Sequence, residues 1–593
     1  MNVTNQKSIV RISTLLLCLC MLLSSCKTTS LPDTSSASDQ KSQSELFTVY
    51  MDKAFIDIVT DDTISLHMTL KNPENLGITD YEVTLGDNYK YPSADELEKD
   101  KKDIEEFKAF DRAQLTPEQQ ITYDIFAEAV ARYDDGLKFF YYSEPLSSDL
   151  GCHAEFPILF EEYKFDREND IENYVTLCND LGRYFDEIIG FEKEKVNKNL
   201  FMSDSNLESV ISQCEEFISK KDNNMLITSF DKKIDAFDGL SPDKKAEYKT
   251  KNKEAFNGTV VPAYQKVITE LKVLKGKGSN QKGLSGLENG KEYCAYLLRG
   301  MGISKAPGEL ISDCDRLFKE YTEQYQKIIA ENQDLFKTAA VLAPELSAGE
   351  TVNYLRDKAL ADFPVLPDNI VFKLNEIDSS VSGASRPAYY IRPQIDNYTE
   401  SSIYYNADYY KTDKNKRFFT LAHEGYPGHL LQTITSFGSN ISNFRKVASS
   451  GAYSEGWGIY TELYAYKYAN GDDKVKEVYR LASIVDYLSA LRMQLGIHYE
   501  GNTLKQFTDY VNSLIPEGAE KRSEKDLEGV YIKYINDRLS YAPYVAGYIE
   551  VSEIKEEYKK TQGGSYTDLK FHEDFLALGA APFSVVRKQL NKK

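Results

Sequence analysis

Histidine is scarce in this chain, with six among 593 residues, and tryptophan scarcer, with one. Any imidazole chemistry must be built from a handful of positions. Positive charge is in deficit: 71 Lys and Arg stand against 92 Asp and Glu, a formal net charge of −21. That balance excludes nucleic acid as an expected partner, since polyanions are held by dense basic patches. It also argues against electrostatic docking on anionic lipid. Eight cysteines are present, with no CxxC among them. Once Cys18, Cys20 and Cys26 are assigned to the N-terminal segment, Cys152, Cys178, Cys214, Cys294 and Cys314 remain. That odd, sparse set is no disulfide scaffold, and it is expected as buried thiols rather than metal ligands. No internal repeat stands out. The Gly- and Lys-rich stretch 275–289 has no phosphate-binding pattern and is expected as a surface loop.

The N-terminus reads as a targeting segment. Lys7 and Arg11 precede an apolar run, Ile12 to Leu23, of signal-peptide length and too short to span a bilayer comfortably. Leu23-Ser24-Ser25-Cys26 resembles a bacterial lipobox, which makes Cys26 the lipidated residue. The Ser-, Thr-, Asp- and Gln-rich stretch that follows is expected as a solvated tether. The expected division is 1–25 signal peptide, 26–46 tether and 47–593 catalytic domain. The localisation implied is an acyl-anchored protein on the outer face of the cell membrane.

Beyond the tether, apolar residues recur at helical spacing. Helices are expected over Phe47–Leu70, from Pro117 behind the Thr116 cap to about Phe140, and over Ile171–Lys195. Further helices are expected after capping boxes at Ser205 and Ser347. Tyr81–Lys90 is more strand-like. Between Asn369 and Tyr410, short β-rich runs separated by Gly, Pro, Ser and Asn predict two to four strands. The fold class expected is mainly α with one small sheet immediately before Leu421-Ala422-His423-Glu424-Gly425-Tyr426-Pro427-Gly428-His429.

That last stretch holds two of the six histidines, with a glutamate directly after the first. Two imidazoles to hold a metal and one carboxylate to activate water are the parts of a zinc hydrolase. The spacing is unusual. In a regular helix positions i and i+4 are about 40° apart, whereas i and i+6 are about 120° apart. His423 and His429 therefore cannot chelate one ion from an unbroken helix. Pro427 and Gly428 predict a bulge that re-aims His429. A third ligand is supplied best by Ser454-Glu455-Gly456-Trp457-Gly458-Ile459-Tyr460-Thr461-Glu462. Glu455 and Glu462 are about 20° apart on one helix face. Two acids on one face of a largely apolar helix call for a cation. A solvated stripe or buried ion pairs are the alternatives. Glu424 is placed to act as general base.

The pattern His423-Glu424-x-x-Pro427-Gly428-His429, then Gln432, resembles the HExxPGHxxQ signature of a bacterial family of unknown function, domain-of-unknown-function family 885. Glu455-Gly456-Trp457 with Tyr460 and Glu462 resembles its second motif. Thr116 to Asp124, Tyr293 to Arg299, Gly496-Ile497-His498, Tyr544 with Gly547, and Phe571-His572-Glu573-Asp574 resemble further family stretches. Two positions depart: Arg538-Leu539-Ser540 stands where Pro-Gly-Gln is usual, and Gln494 where Asp is usual. The family in turn resembles gluzincin metallopeptidases. The resemblance implies a two-lobed helical fold around a deep cleft. It implies one Zn2+ per chain held by His423, His429 and Glu455. Glu462 and His498 are implied as supporting residues, and Tyr544 and His572 as further catalytic candidates, with Tyr541 competing for the place of Tyr544.

The activity this implies is zinc-dependent hydrolysis of a peptide or protein substrate. Two other readings use the same residues: a non-catalytic peptide-binding lipoprotein, and a metal-dependent hydrolase of a non-peptide amide or ester. Nothing in the sequence sets the oligomeric state.

Overall fold

A computed structural model describes residues 41–591, save 149–150, 279, 337–339, 378–386, 409–410, 412 and 516–517. The signal sequence, Cys26 and most of the tether lie outside the described residues. The chain is mostly helical with one three-stranded sheet. Helix starts follow local chemistry. Ser42, Ser93, Thr116, Ser347, Thr503 and Ser523 each cap a helix through a reciprocal box with the acid or amide three residues on.

Several boundaries differ from expectation. The first helix starts at Gln43, inside the expected tether, because the Ser42–Glu45 box opens it. The single element expected over Phe47–Leu70 is two helices, Gln43–Val59 and Thr63–Thr69. Asp62 divides them by capping the second, accepting from the Ser65 N–H at 2.7 Å. The helix begun at Pro117 ends at Val130, and a new one runs Tyr133–Lys138. Ser203, not Ser205, caps the Asp204–Ser219 helix. Tyr81–Lys90 forms no strand. Its Leu85 and Tyr89 N–H groups donate instead to Asp180 and Glu187 on the Glu168–Asn197 helix, at 2.8 and 2.6 Å. Those carboxylates take the place of a neighbouring strand.

Among the described residues three strands form where two to four are expected: β1 Val371–Glu376, β2 Ala388–Ile391 and β3 Glu400–Tyr405. The order is β1-β3-β2, with β3 parallel to β1 and antiparallel to β2. Tyr390 faces Ile403 and Ile391 faces Ser402 across the β2–β3 pair. Among the described residues β2 therefore has a strand on one side only, and lies at the edge of the sheet.

The buried apolar residues form two large cores. One is drawn from Ile64 to Leu274, around the Glu168–Asn197 and Val261–Leu274 helices. The other joins residues between Phe47 and Tyr142, with Leu200, to the chain from Leu284 onward, and it contains Leu421, Ala422, Leu430 and Trp457. The histidine–glutamate stretch is therefore set inside the second of these. Cys178, Cys214, Cys294 and Cys314 are buried thiols, and Cys152 is half-buried. Among the described residues no helix is long and apolar enough to cross a membrane.

Candidate metal centre

His423 and Glu424 lie on the last turn of the helix Lys414–Glu424, and His429 opens the next helix, His429–Gly438. The structure corrects the expected bulge: the helix stops and restarts. Pro427 cannot donate a backbone hydrogen bond. Gly428 packs so tightly that a Cβ there would stand 1.8 Å from the His423 carbonyl oxygen. The intervening turn is braced from both sides. The Trp457 indole N–H donates to the Pro427 carbonyl at 3.0 Å, and the Tyr426 hydroxyl donates to the Pro364 carbonyl at 2.7 Å. The restart turns His429 toward His423, with ring centroids 4.8 Å apart and planes at 85°.

Glu455 arrives on the helix Gly451–Tyr464. That helix crosses Ala542–Gln562 backbone to backbone at Gly456 and Gly547, where a Cβ on Gly456 would lie 2.3 Å from the Gly547 carbonyl carbon. Glu455 Oε2 lies 3.4 Å from His423 Nε2 and 3.5 Å from His429 Nε2. All three residues are buried. The same three atoms, His423 Nε2, His429 Nε2 and Glu455 Oε2, have no hydrogen-bond partner. Buried polar atoms without partners are costly. Ligands about 2.0–2.2 Å from a tetrahedral ion stand roughly 3.3–3.6 Å apart. The two measured separations match that edge, and the N,N,O donor set suits zinc.

The surrounding groups orient these donors. Glu462 Oε2 lies 3.4 Å from His423 Nδ1, and its Oε1 accepts from the Tyr487 hydroxyl at 2.8 Å. Gln432 Oε1 lies 3.4 Å from His429 Nδ1, and its amide donates to the Tyr453 carbonyl at 3.3 Å. Each histidine so has an acceptor at Nδ1, the arrangement that leaves Nε2 free to ligate. Burial works against charge on His423, yet Glu455, Glu462 and Glu424 outweigh it and raise the imidazole to about 10. Three carboxylates around two imidazoles leave the site short of a cation. Glu424 is buried and accepts from the Tyr390 N–H of β2 at 2.9 Å. Burial raises its pKa above the usual carboxylate range, against the pull of both histidines. That shift moves a carboxylate toward the range useful to a general base.

The remaining candidates separate. The Tyr544 ring lies 6.2 Å from the His423 ring at 30°, beside the metal group. Tyr541 packs instead against Tyr534, with ring centroids 6.2 Å apart. His572 does not present a nitrogen to the site. Its Nδ1 meets the Asp362 carbonyl at 2.6 Å, its Nε2 meets the Tyr460 hydroxyl at 2.7 Å, and the ring stacks on Phe363. Burial lowers its pKa to about 3. It is a satisfied core histidine. His498 is another: Nδ1 accepts from the Leu284 N–H at 3.0 Å, and Nε2 faces the Tyr534 and Asp537 carbonyls at 2.8 and 2.9 Å. None of these partners belongs to the metal group. Gln494 and Ser540, the positions that depart from the resembled pattern, meet: Gln494 donates to Ser540 at 3.3 Å and accepts from the Tyr541 N–H at 3.0 Å. They set the start of the helix that carries Tyr544. His153 is buried against Gln213, and His67 lies between Tyr81 and Asp170.

Tyr390 was not legible as a contributor, because its contact is through backbone. Gln432 was visible in the motif, three residues after His429, but its acceptor role was not.

Gly458 gives a test of the packing. A Cβ there would lie 2.4 Å from His423 Nε2. Gly458→Ala is expected to fold and to displace His423, so that any metal the group holds is bound about 10-fold or more weakly, the scale on which support of a ligand acts. Titration against a chelating dye reads this; unchanged affinity would show that His423 has room to spare.

Comparison with known proteins places the chain. A search of the curated proteins returns no match. Among solved structures, a candidate lipoprotein from Colwellia psychrerythraea is similar with a TM-score of 0.78 and 17% identity, covering 93% of this chain and 99% of its own. A candidate lipoprotein of unknown function from Shewanella oneidensis is similar with a TM-score of 0.61 and 17% identity, covering 91% and 99%. At such identity the likeness is one of fold. The profile of the family described as bacterial protein of unknown function, DUF885, matches residues 73–590, and this chain belongs to that family.

Proposed function

We propose that this protein is a zinc-dependent peptidase in which His423, His429 and Glu455 hold the metal and Glu424 is the general base. The carrying observation is the set of three buried, unpartnered atoms, with Glu455 Oε2 standing from each histidine Nε2 by the edge of a coordination tetrahedron and all three within 4.8 Å of one another. A zinc ion held there would supply Lewis acidity and make water a stronger nucleophile at neutral pH. Glu424 takes the proton from the attacking water and passes it to the leaving amine. Tyr390 holds the Glu424 carboxylate by one backbone hydrogen bond, leaving the other oxygen for that task. Glu462 fixes the His423 ring. Tyr544, beside His423, is the side chain best placed to donate to the carbonyl oxygen as charge develops there. β2, an edge strand against Glu424, offers backbone groups to an extended peptide.

The lipobox-like Leu23-Ser24-Ser25-Cys26, with the lipoprotein descriptions of the two similar structures, supports an acyl anchor at Cys26 and an extracytoplasmic site.

Zinc stoichiometry and hydrolysis of a mixed peptide library test the reading together. About one zinc per chain and cleavage of some members are expected. Protein that takes up no zinc would sink the metal centre. Zinc without cleavage of any peptide would favour a binder or a hydrolase of other amides or esters.

A further inference from the structure

A cavity of about 70 Å3 opens against the metal group, and His429 and Glu455 form part of its wall. Arg392, Thr433, Phe437 and Ser449 line the same space. By the 10–15 Å3 that one water centre needs, it has room for about five waters. That is the scale of a single terminal residue rather than a long peptide.

Arg392 is the unexplained member. It follows β2 directly, two residues beyond the Tyr390 N–H that binds Glu424. Its guanidinium carbon sits 5.1 Å above the centre of the Phe437 ring, and one Nη donates to the Lys446 carbonyl at 2.7 Å. Those two contacts fix the plane of the group. Among the described residues no carboxylate pairs with it. The nearby ionisable side chain is Tyr390, and burial lowers the Arg392 pKa. Arg392 is half-buried, and a guanidinium does not shed its proton in a protein, so the charge stays and can receive an anion. Among the described residues Glu455 is the one acid lining the cavity, and the metal group claims it. Ser449 adds a second sign, a buried hydroxyl with no hydrogen-bond partner. A planar cation with open N–H groups is the geometry that receives a carboxylate by two parallel bonds.

We propose that Arg392 seats the C-terminal carboxylate of the substrate, with Ser449 as a further donor, so that the protein removes residues from peptide C-termini. This rests on the peptidase reading above. Arg392 acts by binding substrate; the chemistry stays with Glu424 and the metal group. A side-chain carboxylate on the last residue is the same chemistry from another source, and the test separates the two.

The test uses short peptides prepared as free acids, as C-terminal amides, and as amides ending in Glu. Their binding to zinc-loaded Glu424→Gln protein is measured by calorimetry, beside turnover by the wild type. Free acids are expected to bind about 10- to 100-fold more tightly than either amide, the range for a charge-assisted pair. Arg392→Gln on the same background should collapse that difference while zinc stoichiometry stays the same. Equal binding of free acids and amides overturns the assignment of Arg392 and leaves the peptidase reading standing. Tight binding of the Glu-ending amides overturns the C-terminal assignment in favour of an acidic side chain. Wild-type protein that hydrolyses none of the peptides overturns the peptidase reading and this proposal with it. If Arg392→Gln does not fold, the acid-against-amide comparison on the Glu424→Gln protein decides alone.

Discussion

Glu424→Gln protein is expected to keep about one zinc per chain and to lose peptide hydrolysis by about 10²- to 10⁴-fold, the range for a general acid–base group. The substitution is nearly isosteric. The amide side chain it introduces would retain an oxygen to accept the Tyr390 N–H, now 2.9 Å from Glu424 Oε2, so β2 and the turn before His429 keep their place. What goes is a group able to take a proton. Glu424 is outside the three-atom metal group, so stoichiometry should hold. Metal analysis and turnover on the same preparation check both halves. Undiminished hydrolysis would remove Glu424 from the chemistry, and lost zinc would make it a ligand or a structural support.

Glu455→Ala is expected to abolish stoichiometric zinc binding, while Glu462→Ala weakens it by about 10- to 100-fold. The difference follows from position. Glu455 Oε2 faces the Nε2 atoms of both histidines, so its removal leaves two neutral donors. Glu462 reaches only the opposite nitrogen of His423 and is itself tied to Tyr487. Losing it frees the ring to turn and makes it less basic, without removing a donor. Chelator competition ranks the two variants, and circular dichroism confirms that each is folded. The reverse order of affinities would mean that Glu462 is the ligand.

The helix starts at Thr116 and Ser347 were legible because capping is settled within four residues, each meeting its own N3 side chain, whereas the start expected at Ser205 is capped by Ser203. The small sheet was legible from β-rich runs broken by turn residues. Tyr81–Lys90 misled because alternation of apolar residues says nothing about what the backbone will bond. Here it bonds Asp180 and Glu187, nearly a hundred residues later in the chain. His498 and His572 misled in the opposite way. Their surroundings in sequence suggest function, but packing closed both nitrogens of each ring. Arg392 drew no notice in the sequence, since a single arginine after a strand is ordinary. Its interest arises only when the cavity is seen to hold no carboxylate for it.

By itself the sequence determined the chemistry on offer: two histidines and a glutamate at a broken helix, two further glutamates on one helix face, and a proline and glycine that forbid a regular turn between the histidines. Those features depend on residue type and short-range geometry, which the chain carries locally. Tertiary structure decided which glutamate lies between the histidines, that the helix restarts rather than bulges, and that the Tyr544 ring stands by His423. Each of those depends on helices far apart in sequence approaching within an atom's width, as Gly456 does against Gly547. Close packing between remote elements sets such contacts, and no local pattern encodes them.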